Sequence, residues 1–382
     1  MKLAADRTAL LAALGLAARV VERRSTIPIL QHIRLAAEGG RDGRLSITAS
    51  DLDTEIAIDV AVAVEQAGTA ALPGHMLRDI VAKLPDGARV EIAVAAASGA
   101  ATISSGRALF RLQGLDPADF PAVAPWSPAA RFALPGGALA ALLAPVRFAI
   151  SSEETRYYLN GVHLHVEDGS AGAALVAVAT DGHRLSLARR PLPPGAAALP
   201  GVIVPRKAVD EIHRLAEAAG DGMVEVAVSD ARLSVADGAR GTALATKLID
   251  GTFPEYRRVI PAANDIVVEI DRALLATVID RVAAVSAARH RALRLAFSGS
   301  GLEVSMVDRD TAAAASETLD VTVEAAVEVG FNAAYLAECL GAVQAAKVRL
   351  SLHDAGSPAL IEPVDARADA PGQLVVLMPM RT

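Results

Sequence analysis

Thr180, Asp181, His183 and Arg184 fall within the short stretch VATDGHRLSLARR, Val178–Arg190. A hydroxyl, a carboxylate and an imidazole are the parts of a hydrolase, in which a base held by a third group activates a nucleophile. Such a centre needs companions, and the chain offers none. It has no G-x-S-x-G elbow, no H-E-x-x-H helix, and no glycine loop running into Lys-Ser/Thr to cradle a phosphate. Asp-Gly between two alternating apolar runs is instead a strong hairpin signal. The spacing predicts a polar turn, with catalysis by Thr180, Asp181 and His183 as the lesser alternative.

Other chemistry-bearing groups are weaker still. Asp51, Asp53 and Glu55 share one face of an alternating run, but the spacing of a calcium loop does not continue beyond them. His163 and His165 also share a face, without the third ligand that zinc requires. Lone Cys339 lies on the apolar face of a predicted helix and reads as core. Tyr157 and Tyr158 follow Arg156 at a predicted strand entry. No catalytic residue, metal or cofactor is expected.

These residues need elements to hold them, and the elements repeat. At 382 residues, 52% of them hydrophobic, the chain is long enough for two or three cores. Three segments read as a strand followed by an alanine- and leucine-rich helix, beginning at Leu3, Phe132 and Val268. A strand end, a turn and a second helix follow in each third, from Leu72, Val204 and Val329. Alternating strands come next, from Val90, Val224 and Val348. The order predicts an α+β fold of three copies, each with two helices packed on antiparallel sheets. The domains are expected at 1–125, 129–254 and 255–382.

Charge is unevenly placed. The net charge is −7, yet the predicted helical stretches carry 15 basic against 9 acidic residues. Basic helices within an acidic body suit contact with phosphates without sequence reading. The apolar N-terminus carries Asp6 and Arg7 early, so it reads as a helix of a mature cytosolic protein and not as a signal peptide. No apolar run is long enough for a membrane span.

Along nearly its whole length the sequence resembles the bacterial sliding clamps, the beta subunits of the replicative DNA polymerase. The matching stretches include RRSTIPIL (Arg23–Leu30), SDLDTEI (Ser50–Ile56), RYYLNGV (Arg156–Val162), ATDGHRLSLA (Ala179–Ala188), VIVPRKAV (Val202–Val209), KLIDGTFPEYRRVIP (Lys247–Pro261) and the ending VVLMPMRT. The resemblance implies a non-catalytic processivity factor: half of a closed ring made by a head-to-tail homodimer around duplex DNA. It implies a cytoplasmic, nucleoid-associated protein. It also implies a cleft for peptide tails of the replicative polymerase, the clamp loader and repair polymerases. By the match, the cleft is formed by Leu159, Thr180, Gly182, His183, Arg184, Leu185, Pro254, Arg258, Val259, Val376, Leu377, Met378, Pro379, Met380 and Arg381. Arg24, Tyr157, Arg206 and Lys207 match DNA contacts. His75 and Met76 replace a basic pair common in relatives, and Glu153 replaces a neutral residue. Arg107, Phe110 and Leu112 match one side of the subunit seam, with Ala284 and Val285 on a helix of the other side. Glu317 remains from an acidic run that has otherwise become alanine at 312–315. A divergent paralogue serving repair or inhibitor resistance would carry the same stretches.

Overall fold

The computed structural model describes residues 1–381 except 96–97, 122–123, 170–171, 287–291, 300, 309 and 366–369. In the first copy β1 (Lys2–Asp6) leads into α1 (Arg7–Val20) and then β2 (His32–Glu38), β3 (Gly43–Ser50), β4 (Thr54–Gln66) and β5 (Gly68–Pro73). Next come α2 (Gly74–Lys83), β6 (Arg89–Val94), β7 (Ala100–Ser105) and β8 (Ala108–Gln113). The second copy repeats this order as β9 (Ala130–Pro135), α3 (Gly136–Leu143), β10 (Gly161–Glu167), β11 (Ala174–Thr180), β12 (Arg184–Pro191) and β13 (Val202–Pro205). It closes with α4 (Arg206–Ala219), β14 (Met223–Val228), β15 (Arg232–Asp237) and β16 (Thr242–Lys247). The third copy is β17 (Ile266–Asp271), α5 (Arg272–Ala283), β18 (Ala292–Ser298), β19 (Gly301–Val307), β20 (Ala314–Asp320) and β21 (Val327–Asn332). It ends with α6 (Ala333–Ala342), β22 (Lys347–Leu352), β23 (Ala359–Val364) and β24 (Gly372–Leu377).

Local chemistry explains where helices begin. Asp6 accepts from Thr8 N and Ala9 N, Asp271 from Leu274 N, and Asn332 from Ala334 N and Tyr335 N. Each side chain satisfies amides that a helix start leaves unpaired. Leu10, Leu14, Leu77 and Val81 bury one face of α1 and α2 against Leu35, Ile47 and Ile92 of the sheet. In the third copy Val278, Ile279, Leu336 and Leu340 do the same against Leu293, Phe331 and Val348. No helix among the described residues is long and apolar enough to cross a membrane.

Two compact units result, one of Met1–Gly137 with Leu215–Lys247 and one of Ala138–Arg214 with Leu248–Thr382. The second copy is therefore shared out, and strand pairing gives the reason. In the first unit β16 pairs antiparallel with β4, from Thr242 opposite Ile58 to Thr246 opposite Thr54. In the second unit β12 pairs with β24, from Arg184 opposite Leu377 to Arg189 opposite Gly372. Each joint between copies is thus a continuous hydrogen-bonded sheet, and not a mere packing of side chains.

Candidate functional site

The TDGH hairpin sits between β11 and β12, and its aspartate builds the turn. Asp181 Oδ1 accepts from His183 N at 2.9 Å and Arg184 N at 3.0 Å. The same device occurs at the equivalent place in the other copies. Asp51 Oδ1 accepts from Asp53 N and Thr54 N (3.0 and 2.6 Å), and Asp308 Oδ1 accepts from Asp310 N and Thr311 N (both 3.0 Å). A short carboxylate mimics a backbone turn in this way. Gly182 takes φ +89°, and a Cβ there would lie 2.7 Å from an Arg156 guanidinium nitrogen. Thr180 Oγ1 donates to Arg184 O at 2.8 Å, so its proton is engaged by a carbonyl. The His183 ring lies against Tyr335, with centroids 5.8 Å apart. Hydroxyl, carboxylate and imidazole are occupied separately, and the hydrolase alternative has no geometry to stand on.

Arg184 is held by partners within the fold. It is only 8% exposed and points away from the face that carries Leu185. Its Nε donates to Asp181 Oδ2 at 3.1 Å and its Nη2 to Phe148 O at 3.1 Å, while Nη1 lies 2.7 Å from Glu338 Oε2. The guanidinium also sits 4.5 Å from the Tyr335 ring centre and 5.0 Å from that of Phe148. It is a buried tie between the hairpin and α6. Leu377 is likewise fully buried in the third copy's core, because alternation along β24 sends Val375 and Leu377 to one core and Val376 to the other.

Three of the remaining residues matched to a cleft share one core. Leu159, Leu185 and Val376 are buried in one apolar cluster with Val176, Val178, Leu187, Ile203, Phe253 and Tyr256. Around it Gly182, His183, Pro254 and Arg258 are exposed, as is Arg381, whereas Thr180, Pro379 and Met380 are half-buried. Val259 is 46% and Met378 40% exposed, large apolar groups at the surface a few residues along the chain from Tyr256 and Val376 of that cluster. Met378 N donates to His183 O at 2.9 Å and Met380 N to Gly330 O at 2.8 Å, which holds the tail against the hairpin and β21. Arg258 and Val259 ride on a one-turn 3-10 helix, Tyr256–Val259. Sequence reasoning missed Tyr335, which packs on both His183 and Arg184. Its signal was available: aromatics are 3% of this chain, and the matching positions in the other copies are Met76 and Ala208.

Comparison with known proteins agrees over the full chain. Family profiles for the DNA polymerase III beta subunit match residues 1–124 (N-terminal domain), 133–255 (central domain) and 257–381 (C-terminal domain). The chain belongs to the DNA polymerase III beta subunit family. The beta sliding clamp of Caulobacter vibrioides is 42% identical and that of Escherichia coli K12 35%, each over all of both chains. A DNA polymerase III subunit beta sliding clamp from Bartonella birtlesii, solved bound to griselimycin, is 38% identical with a TM-score of 0.93, covering all of both chains. The Caulobacter crescentus beta sliding clamp, solved with polyethylene glycol, is 42% identical with a TM-score of 0.94, covering 100% of this chain and 99% of its own. As a beta sliding clamp the protein is a processivity factor and not a catalyst.

The other residues matched to clamps are placed as follows. Arg24, Arg206 and Lys207 are exposed, and Arg206 donates to Ile150 O. Tyr157 is 53% exposed and stands edge-on to half-buried Tyr158, 5.8 Å away. Both belong to a 3-10 turn, Glu154–Leu159, and not to a strand entry, because Glu154–Leu159 closes i→i+3 bonds before β10 begins. Glu153 is ion-paired with Arg156, whose hydrogen bond holds the carboxyl below its usual range. His75 Nε2 lies 3.2 Å from Val21 O, and Met76 is exposed. Many helical cations are neutralised within the fold: Arg7 by Asp86, Arg147 by Asp210, Arg214 by Glu211 and Arg281 by Glu317. Arg289 and Arg291, counted among the helical charges, lie outside the described residues.

On the seam residues, Arg107 is exposed at the β7–β8 turn, Phe110 is half-buried on its own core and Leu112 is buried. Ala284 and Val285 are in the turn after α5 and not on the helix, since Ala284 N bonds back to Arg281 O at 3.2 Å and ends the i→i+4 pattern. Asp51 builds its turn and Asp53 pairs with Lys247 at 3.1 Å, so neither carboxylate is poised for a cation. Cys339 is fully buried, and burial pushes its thiol up to about 12.

Proposed function

We propose that the protein works as a closed ring of two head-to-tail copies around duplex DNA, in the three-domain division 1–125, 129–254 and 255–382. The observation that carries this is the repeated sheet joint. Strand β4 of the first copy takes β16 of the second, and β12 of the second takes β24 of the third. By the same rule β20 of the third copy calls for the strand equivalent to β16 and β24, which is β8 of the first. Among the described strands β8 pairs only with β7 and β20 only with β19, so each keeps one open edge. Leu109 on β8 and Val307 at the end of β19 are 59% and 64% exposed, as suits surfaces awaiting cover. Open edges in one chain that complement each other close most simply in a symmetric assembly.

Encirclement lets individual DNA contacts stay weak enough to slide. Exposed Arg24, Tyr157, Arg206 and Lys207 supply them, without reading base edges. The second working surface is the apolar cluster under Val259, Met378, Pro379 and Met380. It suits peptide tails with leucine and phenylalanine anchors, because methionines adapt to varied apolar partners. Polymerase subunits, the clamp loader and repair polymerases dock there, in the cytoplasm with the nucleoid. Sedimentation at micromolar concentration tests the assembly. The expected particle has twice the 39.3 kDa chain mass, and Leu109→Glu should return it to one. A monomer at every concentration would overturn the ring.

A further inference from the structure

Strand β10 carries His163, His165 and Glu167 at alternate positions, hence on one face. Each meets a different residue of the segment Phe253–Arg257. The His163 ring stacks on Phe253, with centroids 4.9 Å apart and planes within 10°. His165 stacks on His163 at 4.7 Å and lies 5.8 Å from the Tyr256 ring. Its Nε2 is 3.0 Å from the Tyr256 hydroxyl. Arg257 Nε donates to Glu167 Oε1 at 3.0 Å, and its guanidinium lies 5.0 Å over Tyr256.

The direction of the central bond follows from its neighbours. The Nδ1 atoms of His163 and His165 face the carbonyls of Val202 and Val166, at 3.2 and 3.0 Å. A carbonyl can only accept, so both Nδ1 carry the proton and His165 Nε2 keeps its lone pair. Tyr256 therefore donates to His165. Burial favours this neutral imidazole and also pushes the Tyr256 hydroxyl up to about 12.

Phe253 and Tyr256 anchor this segment in the apolar cluster, but few hydrogen bonds fix the turn that follows. The 3-10 helix Tyr256–Val259 has no side-chain cap, and its own bonds are long: Arg258 N to Glu255 O at 3.4 Å and Ile260 N to Arg257 O at 3.3 Å. Pro254, Arg258 and Val259 project from it. We infer that His165, flanked by His163 and Glu167, is the positioning residue for this lip of the peptide cleft, acting through Tyr256. The inference rests on the cleft reading above, and it gives the paired histidines a task other than metal binding.

The test titrates a Gln-Leu-Ser-Leu-Phe peptide into the full chain by calorimetry, alongside hydrogen exchange of amides 257–260. Tyr256→Phe removes one oxygen and should weaken the peptide roughly three- to tenfold, the worth of one neutral hydrogen bond. His165→Leu should do the same, and the double substitution should be no worse than the greater single loss. His165→Gln, which keeps an acceptor at comparable reach, should recover affinity to within about twofold. Exchange at 257–260 should quicken in the two weak variants only. Equal affinity in all variants, additive losses, or unchanged exchange would overturn the inference. If the wild type bound no peptide, the cleft reading would fall by itself, and exchange would still decide whether His165 holds the segment.

Discussion

Replacing Asp181 by alanine separates a structural turn from a reactive or ligand-binding aspartate. The carboxylate accepts two backbone amides and one guanidinium N–H within 3.1 Å. Each backbone bond contributes about 1 kcal/mol net, and the charge-assisted bond to Arg184 about 2. Arg184 is not stranded, since Glu338 and Phe148 O remain, so the full cost of orphaning a buried cation does not apply. Asp181→Ala should therefore destabilise by about 3–4 kcal/mol. The equivalent Asp308 accepts two amides and also the hydroxyls of Ser286 and Thr311, and Asp308→Ala should cost less than Asp181→Ala. Urea unfolding followed by circular dichroism measures both. Peptide affinity of Asp181→Ala under native conditions should fall less than about tenfold, because exposed His183 shifts while the apolar floor remains. A stability change below ~1 kcal/mol for Asp181→Ala, or an equal loss for Asp308→Ala, would refute the turn argument. A hydrolytic activity abolished by Asp181→Ala would do so more completely.

Two further expectations follow from the same geometry. Deleting Met378–Thr382 removes apolar surface at the cleft and the two tail bonds, and at about 25 cal/mol per Å² should take micromolar peptide binding beyond calorimetric detection. The dimer should persist in sedimentation, since neither open strand edge is touched; retained peptide binding would count against the cleft. Burial pushes His163 from the ordinary 6.5 down to about 4. The unfolded chain then binds the proton first, so this contribution is present above pH 6.5 and is lost as pH falls towards 4. It amounts to a few kcal/mol at most. His163→Phe keeps the stack on Phe253 and should flatten the stability profile across that window in urea titrations, whereas parallel profiles would contradict the assignment.

How much of this was legible depends on the range of the physics involved. Three copies, their helices and the hairpin at Asp181 follow from local signals: apolar period, capping residues and turn chemistry. That Arg184 and Leu185 face opposite ways was also implicit in strand alternation. The partner that occupies Arg184 was not, because Glu338 lies more than 150 residues away and arrives only through the β12–β24 joint. The same joint decides that Leu377 enters a different core from Val376. Charge counting was blind to pairing, so a helical surplus of arginines did not reveal that Arg147, Arg214 and Arg281 are answered by Asp210, Glu211 and Glu317. The Tyr157–Tyr158 turn escaped because a single 3-10 turn has no periodicity long enough to read. His163 and His165 were correctly seen to share a face, but what they face comes from Phe253 and Tyr256, far along the chain.

The central claim is that residence on DNA comes from closure around it and not from adhesion. The most direct measurement loads the labelled protein onto nicked circular plasmid with a clamp loader and ATP, then separates bound from free by gel filtration in raised salt. Half of the sample is first cut once by a restriction enzyme. Closure predicts that protein stays with the intact circle and runs off the linear DNA, even though salt weakens the phosphate contacts proposed for Arg24, Arg206 and Lys207. Equal retention on cut and uncut DNA, or equal loss from both as salt rises, would contradict it.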